Sequence, residues 1–278
     1  MKRVYDSEFF NIKDTLECGQ IFRFRPFKKG YMVFSGENAC YAYAENGKTV
    51  VEAEDIEYFD KFFDSETDYK KICLKAENCG FDVVKKSARL GKGIRILRQN
   101  PEETLYSFII SQNNNIPRIK GIIEKTCAAL GEKREFSGEE YYTFPKTEML
   151  LSKDESFYKG LGYGYRAGYI TAVAKAIAEG FDLESISDLP TKQLKEKLLT
   201  LKGVGPKVAD CVTLFGYHKT DSFPVDTWIE KLYVEDFNGR EKDRNRITEY
   251  FLNIFGENSG YVQQYIFYYK RSLETQDK

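Results

Sequence analysis

Histidine is nearly missing from this 278-residue sequence, which contains one, His218. A single imidazole excludes a histidine-rich metal site and leaves a serine–histidine–aspartate triad dependent on that one side chain. The six cysteines include no CxxC pair, so we expect reduced thiols. Because the last of them is Cys211, a C-terminal four-cysteine iron–sulfur cluster is excluded as well. We therefore expect neither a catalytic metal nor a redox cofactor.

Long hydrophobic runs are also absent. No apolar segment reaches the roughly 18 residues that a transmembrane helix needs. The first residues, MKRVYD, lack the apolar stretch of a secretory signal. The β-rich pattern described below starts early, with no preceding localisation tract. We expect a monomeric cytoplasmic protein of bacterial or archaeal type that does not contact a membrane.

An excess of positive charge is the third missing feature. The formal net charge is −1, whereas proteins that bind nucleic acids usually carry a basic excess. A local basic face can still contact phosphate groups, because the electrostatic field depends on the distribution of charge as well as on its total. The alternative is a set of solvated helix charges. The candidates for such a face are Lys85, Lys86, Arg89, Lys92, Arg95 and Arg98.

Local patterns predict a β-rich part followed by a helical part. Asn46-Gly47 predicts a type I′ hairpin turn, and residues 55–75 have an acidic, helical pattern. From about residue 91 the pattern is helical, apart from a charged loop at residues 131–143. Alternation of apolar and basic side chains predicts a strand at residues 22–25, and segments next to turn residues predict further strands at residues 31–34, 39–44 and 49–52.

These elements define the predicted fold class, which is α+β. An antiparallel β-sheet subdomain at residues 1–90 is followed by two mostly α-helical subdomains within residues 91–278. The helical region includes a helix–hairpin–helix at about residues 198–212 and C-terminal helices at residues 226–278.

The stretch LLTLKGVGPKV, at residues 198–208, predicts that hairpin. Gly203 and Gly205 suit a tight turn around Val204, because glycine tolerates positive φ angles. Pro206 fits the first position of a new helix. The backbone N–H groups at such a helix start form an anion site, so Gly203, Val204 and Gly205 are predicted to bind a phosphate group.

Two residues near this turn have side chains suited to catalysis. Lys207 lies in the first turn of the new helix, where the positive end of the helix dipole disfavours an ammonium group and favours the nucleophilic free amine. Asp226 follows Pro224-Val225 and precedes a helical pattern, so it is predicted to be an N-cap with a rigidly held carboxylate. A phosphate-binding hairpin, a lysine amine and a fixed aspartate together suggest excision of a base from DNA.

The segments LKGVGPKVADCV and FPVDTW resemble the helix–hairpin–helix (HhH-GPD) DNA glycosylases, which have a Gly/Pro-rich loop and a distal aspartate. Within that superfamily the chain is most similar to the 8-oxoguanine DNA glycosylase/AP lyases, which LRQNPEETLYSFIISQNNNIPRI also resembles. Five segments match in the same order, from Gly19 to Phe267. Lys207 matters most, because superfamily members that use water as the nucleophile lack this lysine and keep the aspartate.

The resemblance implies a pocket for the damaged base. Gly19 is expected to offer its carbonyl group to the N7–H of 8-oxoguanine, which guanine lacks. Gln263 is expected to bond the Watson–Crick edge, with Phe267 and Cys211 on opposite faces of the base. Cys211 is four residues after Lys207, so both lie on one side of the same helix, and this spacing supports a shared pocket independently.

The resemblance also implies contacts with the rest of the duplex. Asn113 and Arg118 are expected to contact the cytosine left behind when the lesion rotates out, with Arg166 as a second cytosine contact. Tyr165 is expected to be a wedge in the base stack. Trp228 is expected to contact phosphate, although eukaryotic 8-oxoguanine members carry a histidine at this position.

The activity implied is that of a bifunctional glycosylase/AP lyase that acts on 8-oxoguanine in duplex DNA, opposite cytosine by preference. Lys207 would form a Schiff base with the sugar, and Asp226 would stabilise the cationic transition state. A monovalent cation bound by hairpin carbonyls near Leu201 and Val204 is also implied. Two alternatives stay open: a monofunctional glycosylase for another damaged base, and a noncatalytic helix–hairpin–helix DNA-binding protein.

Overall fold

The computed structural model describes the backbone of residues 1–276 and the side chains of residues 1–273. The strands are β1 (Lys2–Asp6), β2 (Phe24–Phe27), β3 (Gly30–Ser35), β4 (Asn38–Glu45), β5 (Lys48–Ala53), β6 (Lys133–Phe136) and β7 (Glu139–Tyr142). The helices are α1 (Ile12–Glu17), α2 (Ile56–Phe62), α3 (Tyr69–Glu77), α4 (Asp82–Gly91), α5 (Pro101–Ser111), α6 (Ile116–Leu130), α7 (Thr147–Leu151), α8 (Glu155–Gly160), α9 (Ala167–Ala178), α10 (Thr191–Leu198), α11 (Pro206–Phe215), α12 (Thr227–Phe237), α13 (Arg244–Phe255) and α14 (Ser259–Gln276). The predicted α+β class is confirmed.

The N-terminal part is an antiparallel sheet with the strand order β1-β5-β4-β3-β2. Asn46 and Gly47 join β4 to β5 with φ angles of 50° and 70°, as the predicted type I′ turn requires. The four predicted strands are present, although β2 begins two residues later than expected. The edge strand β1 was missed because none of its five side chains is buried, so it lacks an apolar alternation.

The acidic segment predicted as one helix at residues 55–75 forms two helices instead, α2 and α3. Asp64 has a positive φ angle of 49°, which an α-helix does not accommodate, and it lies just beyond the end of α2. Asp68 then caps α3 by accepting a hydrogen bond from the backbone N–H of Lys71. The buried phenylalanines of α2 pack on one face of the sheet.

Residues 131–143 were predicted to be a charged loop, and this prediction is wrong, because they contain the hairpin β6–β7. Tyr141 of this hairpin stacks on Phe34 of the first sheet, with ring centroids 5.1 Å apart. The hairpin therefore covers the sheet face opposite α2. The exposed charged side chains of both strands hide the strand pattern in the sequence.

The helical part has one continuous hydrophobic core, in which α5 packs on α11 and α4 packs on α14. Residues of α3 and α4 belong to this core, although α3 and all but the last residue of α4 lie before the predicted boundary at residue 90. That boundary stays a prediction. Within residues 1–276 no helix combines the length and the apolar character needed to cross a bilayer.

The predicted basic face at residues 85–98 is incomplete. Arg95 is 8% exposed, and its guanidinium donates hydrogen bonds to the carbonyl groups of Phe63 and Asp64. Its interpretation as a phosphate contact is therefore wrong. Arg98 forms an ion pair with the buried carboxylate of Asp64, at 2.8 Å, so its charge is largely neutralised.

Candidate active site

The predicted hairpin lies between α10 and α11. Gly203 has a φ angle of 88°, and a Cβ at this position would lie 2.3 Å from Cγ of Tyr169, so the turn and the close tyrosine both require glycine. Pro206 starts α11, as predicted. A Cβ on Gly205 would meet no atom within 4 Å, so the backbone before α11 is open to a ligand. Val204 is buried.

Lys207 is half-buried in the first turn of α11. Its Nζ lies 5.1 Å from the centroid of the Phe108 ring on α5. Cys211 is buried one turn further along α11, and burial raises the pKa of its thiol to about 11, against the opposing effect of Lys207. At neutral pH the thiol is therefore protonated, and Cys211 presents a neutral, polarisable surface beside the amine.

Asp226 is the N-cap of α12, as predicted. Its Oδ1 accepts hydrogen bonds from the backbone N–H groups of Trp228 and Ile229, both at 3.0 Å. Burial raises the pKa of Asp226, while these N–H groups and the charges of Lys207 and Arg244 oppose the shift. The carboxylate is thus held in a fixed, partly buried position, and it lines the same cavity as Lys207.

A single cavity brings together the residues predicted for catalysis and for the base pocket, which are Gly19, Lys207, Cys211, Asp226, Gln263 and Phe267. They come from the segment after α1 and from α11, α12 and α14, so the cavity depends on the packing of distant segments. The cavity wall also includes residues that the sequence analysis missed, which are Phe108, Phe215, Pro224 and Gln264. Phe108 and Phe215 lie among apolar residues, Gln264 follows Gln263, and Pro224 belongs to the segment FPVDTW, and none of these positions indicated that the side chain lines the cavity.

Gln263 contributes an unused acceptor to this cavity. The side chain is 5% exposed, and its Nε2 donates to the carbonyl oxygen of Pro224 at 3.3 Å. Its Oε1 is buried and has no hydrogen-bond partner among the described residues. A buried acceptor without a partner is costly, so the cavity is complementary to a ligand that donates an N–H group at this point.

A second group of predicted residues lies around the loop between α5 and α6. Asn113 is exposed and has a φ angle of 46°, and its Nδ2 donates to the hydroxyl oxygen of Tyr165 at 3.1 Å. Tyr165 is 51% exposed, and its ring packs edge-on against Tyr169. Arg118 is exposed and donates to the carbonyl oxygen of Gly162 at 3.1 Å. The structure thus brings Asn113 and Tyr165 together at the surface, with Arg118 nearby.

Arg166 occupies a different environment from these neighbours. It is 4% exposed, and its Nε donates to the carbonyl oxygen of Gln112 at 2.8 Å. Its Nη2 donates to the carbonyl oxygen of Asn113 at 2.9 Å, and its Nη1 to that of Tyr163 at 3.2 Å. These bonds use most of its donors to hold the loop that carries Asn113. A direct contact with cytosine stays a prediction, as does the phosphate contact of Trp228, which is half-buried at the start of α12.

Comparison with known proteins defines the class to which this site belongs. Residues 106–256 match the family model of the HhH-GPD superfamily base excision DNA repair proteins. The chain belongs to this superfamily. Residues 3–105 match the model of the N-terminal domain of 8-oxoguanine DNA glycosylase, which identifies the branch of the superfamily that it resembles.

Individual relatives support the same branch. A probable N-glycosylase/DNA lyase of Methanothermobacter thermautotrophicus is 34% identical over 81% of this chain and 77% of its own length. The structure of MBOgg1 with a low-affinity DNA ligand has a TM-score of 0.93 at 35% identity, over 98% of this chain and 96% of that one. The 8-oxoguanine glycosylase/lyase of Clostridium acetobutylicum, solved with DNA that contains cytosine opposite 8-oxoG, has a TM-score of 0.91 at 34% identity, over 99% and 98%.

Proposed function

We propose that this protein is a bifunctional DNA glycosylase/AP lyase that removes 8-oxoguanine from duplex DNA and then cuts the strand by β-elimination. Its substrate is chromosomal DNA, in the cytoplasm of a bacterial or archaeal cell. The observation that carries the proposal is the cavity, which combines Lys207 and Asp226 with the unused acceptor of Gln263. Excision of a lesion by a covalent route requires a nucleophile, a group that stabilises positive charge on the sugar, and recognition of the base. The amine, the carboxylate and the base-edge acceptor meet these three requirements in turn.

Recognition of the lesion follows from the hydrogen-bonding pattern of its edges. The Watson–Crick edge of guanine and of 8-oxoguanine carries N–H donors, which suit Oε1 of Gln263. Only 8-oxoguanine also has a hydrogen on N7, and the carbonyl group of Gly19 is the acceptor that we assign to it. In a pocket without water, guanine would leave two acceptors facing each other, at a cost of about 1–3 kcal/mol. Phe267 and Cys211 cover the two faces of the base.

The chemical steps start once the damaged nucleotide has rotated out of the stack, because C1′ is not accessible within the duplex. The lone pair of Lys207 Nζ forms a bond to C1′ while the bond from C1′ to the base breaks, and the base leaves with that electron pair. One proton then moves from the lysine nitrogen to O4′ as the C1′–O4′ bond breaks, and this opening of the sugar ring gives a protonated Schiff base and a 4′-hydroxyl group. Loss of a proton from C2′ then expels the 3′-phosphate, and hydrolysis of the Schiff base returns the free lysine.

Asp226 acts in these steps through its charge and its rigidity. Positive charge develops on the sugar as the base leaves, and a carboxylate held by two N–H groups needs no reorganisation to stabilise it. The charge of Asp226 also favours a fixed position for Lys207. Neither role requires the aspartate to exchange a proton.

The duplex around the lesion is assigned to the remaining predicted residues. Asn113, Arg118 and Arg166 recognise the opposite cytosine, and Tyr165 fills the gap in the stack. The hairpin from Gly203 to Gly205 and the start of α12 at Trp228 bind the backbone of the damaged strand. The exposure of Asn113 and Tyr165 and the open backbone at Gly205 support this assignment.

A monovalent cation at the hairpin is part of the proposal. The carbonyl oxygen of Leu201 accepts the N–H of Val204 at 3.1 Å. A carbonyl oxygen has two lone pairs, so Leu201 keeps one for a cation, and Val204 offers its own carbonyl group. Such an ion would strengthen the grip on phosphate without taking part in bond breaking.

The experiment that tests this function measures base release from matched duplexes that differ in one nucleotide. We expect release from a duplex with 8-oxoguanine opposite cytosine, slower release with adenine opposite, and none from an undamaged duplex or one with 7-methylguanine. Gln263→Leu should slow the release, because it removes the acceptor without reducing the volume of the side chain much. Release of 7-methylguanine in preference to 8-oxoguanine, or duplex binding with no release, would contradict the proposal.

A further inference from the structure

Helix α14 holds the segment before Gly19 through three side chains. Gln264 Nε2 donates to the carbonyl oxygen of Cys18 at 2.8 Å, and the hydroxyl group of Tyr268 donates to Asp14 Oδ1 at 2.8 Å. Nη2 of Arg271 donates to the carbonyl oxygen of Glu17. Residues 264, 268 and 271 are spaced by four and three positions, so they lie along one face of the helix.

The adjoining face of α14 lines the lesion pocket with Gln263 and Phe267. Arg271 lies one turn beyond Phe267, and its guanidinium carbon is 5.8 Å from the centroid of that ring. A methyl group on Gly19 would lie 3.2 Å from Arg271 Nη1 and 3.2 Å from Phe267 Cε1. Arg271 is therefore in contact with two parts of the pocket wall, the glycine segment and the stacking ring.

We infer that Arg271 is a positioning residue for lesion recognition, which fixes the carbonyl group of Gly19 relative to the ring of Phe267. This inference rests on the proposed function, because it concerns the acceptor that distinguishes 8-oxoguanine from guanine. Gly19 has a φ angle of 94° and lies outside the helices and strands, so no backbone ladder fixes the direction of its carbonyl group. The hydrogen bond from Gln264 to Cys18 and the one from Arg271 to Glu17 together supply that constraint, and Arg271 is the one of the two side chains that also lies against Phe267.

The shape of the arginine side chain suits this function. A guanidinium is planar and has donors on three nitrogens, so it can donate to Glu17 with one nitrogen and still lie against an aromatic ring. A lysine at this position would keep the charge but would have one compact ammonium group for both contacts. Arg271→Lys is therefore expected to position the carbonyl group of Gly19 only in part.

Arg271 lies on α14, whereas Lys207 lies on α11, and the lysine is the group that reacts with the sugar. A preformed abasic site has no base to recognise, so strand cleavage at such a site depends on Lys207 and not on the position of Gly19. A loss of folding would lower both base excision and cleavage at an abasic site, whereas loss of a positioning residue would lower base excision alone. Measuring both activities in the same protein therefore distinguishes the two cases.

The test compares Arg271→Leu and Arg271→Lys with the wild type under single-turnover conditions. A matched control is Arg134→Leu, because Arg134 is an exposed arginine on β6 that forms ion pairs with Glu37 and Glu132. The substrates are a duplex with 8-oxoguanine opposite cytosine and the same duplex with a preformed abasic site. We expect Arg271→Leu to slow base excision about tenfold or more, which is the scale of one lost charge-assisted hydrogen bond.

Cleavage at the abasic site should stay within about twofold of the wild-type rate in both variants, and Arg271→Lys should give an intermediate excision rate. Excision at the wild-type rate in Arg271→Leu would overturn the inference, and so would a parallel loss of both activities. A wild-type protein that cleaves abasic sites but does not excise 8-oxoguanine would instead contradict the proposed function.

Discussion

The side-chain amide of Gln112 donates a hydrogen bond to the carbonyl oxygen of Gly203, at 3.0 Å. This bond joins the loop that carries Asn113 to the helix–hairpin–helix. The ring of Tyr169 forms a second connection, because it covers Gly203 and packs edge-on against Tyr165. The hairpin assigned to the DNA backbone and the loop assigned to the opposite base are therefore directly connected, and each restricts the position of the other.

Substitution of Gln112 should weaken this connection between the loop and the hairpin. Gln112→Met keeps the length of the side chain and removes the donor, which leaves the Gly203 carbonyl without this bond. We expect a loss of about 3–10-fold in affinity for a duplex that carries a stable abasic analogue opposite cytosine, measured by fluorescence anisotropy. Gln193→Met, at an exposed position of α10, is the matched control and should have no effect. Equal affinities for all three proteins would show that the connection is not needed for binding.

Gly203→Ala should destabilise the fold. The positive φ angle and a Cβ placed 2.3 Å from the Tyr169 ring both oppose a side chain. We expect a loss of about 2–4 kcal/mol in the free energy of unfolding, which lowers Tm by roughly 5–10 °C in a chain of this size. Gly205→Ala is the control for stability, because a Cβ there meets nothing within 4 Å. Calorimetry that finds equal Tm values for the two variants would contradict the account of the turn.

Asp226→Asn should remove the charge and preserve the cap, because asparagine is also a good N-cap residue. We expect excision of 8-oxoguanine to slow by about 10²–10³-fold, with Tm close to that of the wild type. Asp243→Asn changes the cap of α13, where Asp243 accepts from Asn245 N–H at 2.8 Å, and should leave excision unchanged. An Asp226→Asn protein with the wild-type excision rate would refute the electrostatic role.

The same aspartate sets an acidic limit to activity. Burial raises the pKa of Asp226 above its usual range, and the charged form is the one that stabilises the transition state. The rate of excision is therefore maximal above this raised pKa and declines as the pH falls through it. The decline should begin at a higher pH than a solvent-exposed aspartate would give. Single-turnover rates measured against pH should show this acidic decline in the wild type. The decline should be absent in Asp226→Asn.

The sequence predicted the parts of the site that depend on local backbone rules. The glycine turn at Gly203, the proline at the start of α11 and the cap at Asp226 each follow from the conformational limits of one residue type. The residues of the lesion cavity were found through the resemblance to a family. Only the spacing of Lys207 and Cys211 connected any of them independently.

The features that the sequence did not predict are those that depend on tertiary contacts between side chains distant in the sequence. Phe108 and Phe215 lie in helix segments in which consecutive residues are buried on all sides, at 103–110 and 208–215, so the side that lines a cavity has no distinguishing pattern. Arg95 was predicted to contact phosphate because it lies among other basic residues in the sequence, and Arg166 was assigned to the opposite cytosine through the family resemblance. Both are buried and donate to backbone carbonyl groups, and the tertiary fold determines the positions of those groups. The burial of Arg95 rules out the phosphate contact, whereas the cytosine contact of Arg166 stays a prediction.

The central claim is that Lys207 forms a covalent bond with the sugar of the damaged nucleotide. Borohydride reduces a Schiff base to a stable amine, so it would fix the protein to the DNA. The measurement uses a labelled duplex with one 8-oxoguanine opposite cytosine and compares the wild type with Lys207→Gln. Lys202→Gln is the matched control, because Lys202 is an exposed lysine of the same hairpin.

We predict a covalent protein–DNA band for the wild type and for Lys202→Gln, and none for Lys207→Gln. A band of undiminished intensity in Lys207→Gln would mean that another amine reacts. Base release without a band in the wild type would mean that water is the nucleophile, and either result would contradict the mechanism.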